Sequence, residues 1–147
     1  MRPLQRFERY PCIRSITPNI PRAQSLLEES KRRLDFLKRM QKSIDVDAES
    51  SHIYIEISYD ILIAMSRALM FCDGFHASGE GAHEAEVAFL VTKGIAEKTV
   101  RQLNELRYHR NGILYYGKRY NARYAKQMVS FAIDLSGELQ VIAERSI

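Results

Sequence analysis

From Asn19 to Ile44, apolar residues recur at helical spacing. In "RAQSLLEESKRRLDFLKRMQKSI" they are Leu26, Leu27, Leu34, Leu37 and Ile44, with charged residues between them. Asn19 reads as the N-cap and Pro21 falls in the first turn. "DVDAES" interrupts the pattern and offers acidic caps for the next element. Then "HIYIEIS" alternates strictly, with Ile53, Ile55 and Ile57 on one side, a strand signature. Its continuation, "YDILIAMSRALMFCDG", is helical in length and residue type. On a helix, His52, Glu56, Asp60 and Arg67 share one narrow stripe and the rest is apolar, as in a helix buried nearly all round. The expected element is one long helix from about Ala48 to Asp73.

"DGFHASGEGAH" reads as a loop through Gly74, Gly79 and Gly81. "EAEVAFLVTKG" predicts a short helix that Gly94 ends. "IAEKTVRQLNELRYHRNGILYYG" predicts another, ending by Gly117. The last helix is "NARYAKQMVSFAIDLSGELQVIAERS", with Ala125, Met128, Ala132, Leu135 and Leu139 as its stripe. All four prolines, Pro3, Pro11, Pro18 and Pro21, lie in the first 21 residues, so residues 1–20 are expected to form an extended arm. The predicted fold class is all-α: an antiparallel four- to five-helix up-and-down bundle over residues 21–147, preceded by that N-terminal arm.

Composition narrows the classes. At 147 residues, 46% hydrophobic and 27% charged, the chain suits one soluble domain with a sizeable core. Cys12 and Cys72 are too few and too far apart for a metal knuckle or a disulfide framework, which points to a reducing, cytoplasmic setting. "MRPLQRFERYPC" has no apolar core of a signal peptide. The run from Ile53 to Cys72 carries Glu56, Asp60 and Arg67, so no membrane span is expected.

The net charge is only +4, but it is segregated. Residues 101–126 hold seven basic side chains against Glu105, and residues 1–33 hold eight against three acids. An anionic partner is expected from that placement more than from the total.

The segment "LRYHRNGILYYGKRYNARY" collects five of the eight tyrosines among those arginines. Arg107, Asn111 and Tyr115 fall at i, i+4 and i+8 on one helix face, bordered by Arg110. In one reading this face binds phosphate through Arg107 and Arg110, with Asn111 orienting and Tyr115 or Tyr116 stacking. In the other, the tyrosines pack between helices beneath the arginines, which is the reading favoured for Tyr116, Tyr120 and Tyr124. Gly112, costly in mid-helix, implies either a close approach at that point or a break after Asn111.

The order of elements resembles the HEPN superfamily over residues 20–145. "SYDILIAMSRALMFCDGFHASGEGAH" is similar to its helix and loop, and "RNGILYY" to its signature segment. The resemblance implies a small helical bundle that usually forms homodimers. Its active members are metal-independent ribonucleases with an Arg, often Arg-Asn, four to six residues before a His. Two copies of that motif meet in the dimer cleft, and many members are toxins paired with an MNT-type nucleotidyltransferase antitoxin. Carried over, Arg110 and Asn111 match the Arg-Asn step, but Tyr115 stands at the His position and Tyr116 comes next. No histidine occurs after His109. An imidazole exchanges protons near neutral pH, whereas a phenol with a pKa of about 10 is a poor base.

The expected function is therefore a non-catalytic, dimeric HEPN-like module that binds RNA or nucleotide, or a protein partner such as an MNT-type nucleotidyltransferase. One alternative is a divergent ribonuclease using Arg110 with Tyr115 or His109. Another is a purely structural oligomerisation domain. No cofactor and no metal is implied. His52, Glu56 and Asp60 at i, i+4 and i+8 form a weak ligand set that reads better as a polar stripe, with Arg67 as an ion-pair partner. His109 reads as a surface or interface residue, and His83 as a helix-start cap. The glycine-rich loop lacks the Gly-Lys-Ser/Thr ending of a phosphate loop. The basic arm reads as able to wrap a partner protomer or bind nucleic acid.

Overall fold

A computed structural model of the protein describes residues 3–147, so the first two residues of the predicted arm lie outside the described residues. Five helices occur in order: α1 (Ile20–Ser43), α2 (Ser51–Asp73), α3 (Ala82–Thr92), α4 (Glu97–Tyr116) and α5 (Ala122–Ser146). The bundle is all-α, apart from two three-residue strands, β1 (Ile13–Ser15) and β2 (Phe75–Ala77).

Local signals explain most boundaries. Asn19 caps α1 as expected, its side chain accepting from the Arg22 amide at 3.1 Å. Helix α2 starts at Ser51, three residues later than expected. The reason is Asp47, whose carboxylate accepts from the amides of Glu49 and Ser50 at 2.9 Å and ties residues 47–50 into a turn. The bond from the Ser50 amide, with that from Glu49, outweighs the slight desolvation of the group and holds its carboxyl below the usual aspartate range. The strand-like alternation at 52–58 is overridden. On the helix, Ile53 is exposed and Ile57 half-buried, while Tyr54 and Ile55 are fully buried. Gly117 adopts φ 63° and ends α4 in the left-handed conformation.

Helix α2 is the axis of the molecule. Tyr54, Tyr59, Met65, Leu69 and Phe71 are buried along it, against Leu27, Leu34 and Leu37 of α1 and Val129, Ala132 and Leu139 of α5. Helix α1 runs antiparallel to α2: the Asn19 amide donates to the Phe71 carbonyl, and the Tyr54 hydroxyl to the Ile44 carbonyl. Helix α4 is also antiparallel, since Arg110 reaches Asp60 while Tyr120, just past α4, accepts from Ser51. The alternation lapses at α3. Glu86 pairs with Arg67 and Lys93 with Asp73, so α3 advances along α2 in the same sense. Strand β2 and residues 78–81 carry the chain back to make that possible.

The N-terminal segment is folded onto its own bundle. Phe7 meets Phe75 and Phe89 edge-on at centroid distances of 5.3 and 5.0 Å, and Tyr10 is buried beside them. Strand β1 pairs antiparallel with β2, Ile13 opposite Ala77 and Ser15 opposite Phe75. That part of the arm is therefore packed against its own chain. No described helix is long and apolar enough to cross a membrane.

Candidate basic–aromatic site on helix α4

Helix α4 is uninterrupted through Gly112, so no break occurs after Asn111. Close approach is the reason for the glycine. The chain leaving α4 folds back over it, and the amide of Lys118 donates to the Gly112 carbonyl at 3.1 Å. A Cβ at this position would lie 3.2 Å from the Lys118 side chain and 3.4 Å from the Tyr120 hydroxyl.

The helix passes from interior to solvent along its length. Leu103 and Leu106 are fully buried, whereas Leu114, Tyr115 and Tyr116 are exposed, Tyr115 by 70% and Tyr116 by 79%. Packing therefore does not account for Tyr116, contrary to expectation. It does account for Tyr120 and Tyr124, which are half-buried against the core. Arg107, Asn111 and Tyr115 share a face, but their environments differ. Arg107 is drawn inward: its Nε donates to Asn104 Oδ1 at 2.9 Å and its Nη2 lies 3.6 Å from Glu84. Asn111 is half-buried. Only Tyr115 is free to stack on a ligand.

Between α2, α3 and α4 lies a layer of charge that the sequence pattern does not reveal. Arg67 donates twice to Glu86, at 2.5 Å from Nε and 3.0 Å from Nη2, and His83 Nδ1 lies 3.1 Å from the same carboxylate. Arg67 is thus paired with Glu86, and Asp60 with Arg110, so the expected ion pair between Arg67 and the polar stripe of α2 does not form. His83 bonds a buried acid; the helix start itself is Gly81 and carries no side-chain cap. Burial alone would raise the Glu86 carboxyl. The bonds from His83 and Arg67 outweigh it and hold that carboxyl below the usual range. Among the described residues, no group of three metal-ligating side chains comes together, His52, Glu56 and Asp60 included.

Arg110 is the least committed member. Its guanidinium lies over the Tyr59 ring, 5.2 Å from the centroid, and its one hydrogen bond, to Asp60, is 3.5 Å long. Its Nε is buried and has no partner among the described residues, and the same is true of the Tyr59 hydroxyl. Burial pushes that phenol well above its ordinary pKa, so it is neutral throughout the physiological range. A buried hydroxyl without a partner costs stability. Tyr59→Phe is expected to raise stability by about 1 kcal/mol, read from the midpoint of a urea titration.

His109 sits half-buried between α4 and α5. Its Nδ1 lies 2.5 Å from the Tyr124 hydroxyl, and its ring packs 4.8 Å from that of Tyr120. Burial lowers its pKa, and Lys118 lowers it further against the opposing effect of Glu105. The imidazole is therefore held neutral and engaged on the side of the helix away from Asp60. A separate cleft of about 540 Å³ is lined by Leu4, Phe7, Val91, Val100, Arg101, Asn104 and others, and includes none of the residues that the sequence pointed to.

What the arrangement can do is bind an anion and stack a base. Arg110 has a donor to spare at the α2–α4 seam, Tyr115 and Tyr116 stand exposed further along the same helix, and Lys118, Arg119 and Arg123 are exposed just beyond it. Compared with protein-family models, curated proteins and solved structures, the chain matches none of them.

Proposed function

We propose that this chain is a HEPN-like helical-bundle module that binds RNA or a nucleotide through the α4 basic–aromatic surface, without cleaving it. The observation that carries this reading is the state of Arg110. It sits at the α2–α4 seam with unused donors, one turn before exposed Tyr115 and Tyr116. Arginine donors for phosphate and open aromatic faces for bases are the two ingredients of sequence-tolerant single-strand binding. A non-catalytic role is supported by the motif itself. Tyr115 replaces the imidazole, and His109 is tied to Tyr124 and Tyr120.

A homodimer fits the same reading. From Arg110 and Asp60 toward Tyr120 and Ser51, the antiparallel register of α2 and α4 passes half-buried Ile57 and the exposed apolar residues Ile53 and Leu114. Packing that face on a second copy would bring two Arg110 side chains toward one cleft. A protein partner, such as an MNT-type nucleotidyltransferase, would use the same surface.

The test is a fluorescent single-stranded RNA titrated against wild type and Arg110→Ala. Loss of one charge-assisted contact is expected to weaken binding by about ten- to a hundredfold. It should also reduce the slope of log affinity against log salt by about 0.7. Cleavage of the RNA by wild type and not by Arg110→Ala would favour the divergent ribonuclease instead.

A further inference from the structure

Resting on that reading of Arg110, we propose that Asp60 is a built-in competitor that holds Arg110 until a phosphate-bearing ligand displaces it. The three arginines of the layer are not equivalent. Arg67 has a bidentate carboxylate partner that is 2% exposed, and Arg107 holds both Asn104 and Glu84. Arg110 has one long contact, and the carboxylate that makes it is itself 37% exposed. A pair of that length and exposure is weak, and side chains can leave it at little cost.

The donors left over point the same way. Arg110 Nε and the Tyr59 hydroxyl are both buried, and neither has a partner among the described residues. Tyr59 is 1% exposed and lies within electrostatic reach of Arg107, Arg110, Arg67 and Glu86. Two unpaired donors beside a loosely held guanidinium make a place for oxygen acceptors. A phosphate group that replaced the Asp60 carboxylate on Arg110 could take the Nε–H as well, with the Tyr59 hydroxyl as a further donor. In the ligand-free protein, the negative charge of Asp60 both neutralises Arg110 and repels the incoming anion.

The substitution Asp60→Asn keeps the shape and removes the charge. Removing a unit charge several ångströms from a bound phosphate is expected to tighten binding about three- to tenfold. The experiment compares wild type, Asp60→Asn, Arg110→Ala and the double variant, using a fluorescent single-stranded RNA at fixed salt. Unfolding midpoints are measured alongside, and the Arg110 Nε–H NMR signal is monitored as inorganic phosphate is added. Tighter RNA binding in Asp60→Asn that disappears in the Arg110→Ala background supports the competitor. Unchanged or weaker binding by a folded Asp60→Asn protein overturns it, as does a gain that persists without Arg110. If no variant binds RNA, the phosphate titration decides. An Nε–H signal that responds at lower phosphate in Asp60→Asn than in wild type keeps the competitor and removes only the RNA reading. An equal response, or none in either protein, removes both.

Discussion

Replacing Glu86 by alanine is expected to destabilise the protein by about 3 kcal/mol, because it leaves a half-buried arginine without its carboxylate. Glu86 is 2% exposed and accepts both hydrogen bonds that Arg67 donates. Without it, the Arg67 guanidinium keeps its charge in a half-buried seam, with no other ion pair in the described structure. The pair need not be a large net gain over an apolar alternative; breaking it from one side is what costs. The double change Glu86→Leu with Arg67→Met should therefore recover much of the loss, and urea titrations of the three variants give the comparison. The same carboxylate sets a pH dependence. Its pKa is lower in the folded than in the unfolded protein, so its stabilising contribution is complete above the ordinary glutamate range. It fades as pH falls through that range and below. Acid unfolding monitored by circular dichroism should accordingly be shallower in Glu86→Ala than in wild type.

Gly74→Ala is expected to cost about 2–4 kcal/mol, the sum of a left-handed backbone penalty and a steric clash. Gly74 ends α2 with φ 80° and ψ 41°, where a side chain is disfavoured. A Cβ there would stand 2.7 Å from the Ile16 carbonyl oxygen, which belongs to backbone and has little room to move. The Gly74 carbonyl also accepts from the Ile16 amide at 2.8 Å, so this one residue docks the N-terminal segment on α2. The loss should be uneven across the molecule. Hydrogen exchange at Ile16 and along β1 should accelerate more than exchange in the middle of α2. A uniform acceleration would mean that the segment is not held at this point.

Much of the bundle is readable from periodicity, because each helix buries a stripe whose spacing survives in the sequence. Leu27, Leu34 and Leu37 of α1 and Ala125, Met128, Ala132, Leu135 and Leu139 of α5 are all buried where the pattern puts them. The start of α2 is displaced by three residues from its expected place, since Asp47 can cap a turn as readily as a helix. The two short strands are invisible in the pattern because three residues carry no usable period, and their pairing joins positions about sixty residues apart.

The site is legible in part. Arg110 and the exposed Tyr115 stand out through composition, but the partners of the arginines do not. Asp60, Glu84 and Glu86 are distant in sequence from the arginines they meet, and only the fold brings them together. One signal is nonetheless present in the sequence. Glu86 is a lone acid inside the apolar run "AEVAFLV", as Arg67 is a lone base inside α2, and two such residues of opposite charge are natural partners. The partner of His109 is not legible, because Tyr124 belongs to the next helix and the tight return over Gly112 is what brings them into contact.

The central claim is that Arg110 is an anion contact and not merely a packing residue. The most direct measurement is the affinity of wild type and Arg110→Ala for a fluorescent single-stranded RNA across a salt series, with the same samples run on a gel. Salt-sensitive binding that falls at least about tenfold in the variant, with intact RNA in both, is the predicted result. Equal affinity in the two proteins would contradict the claim and leave the tyrosines and arginines of α4 as a protein interface; no binding by either would remove the RNA reading.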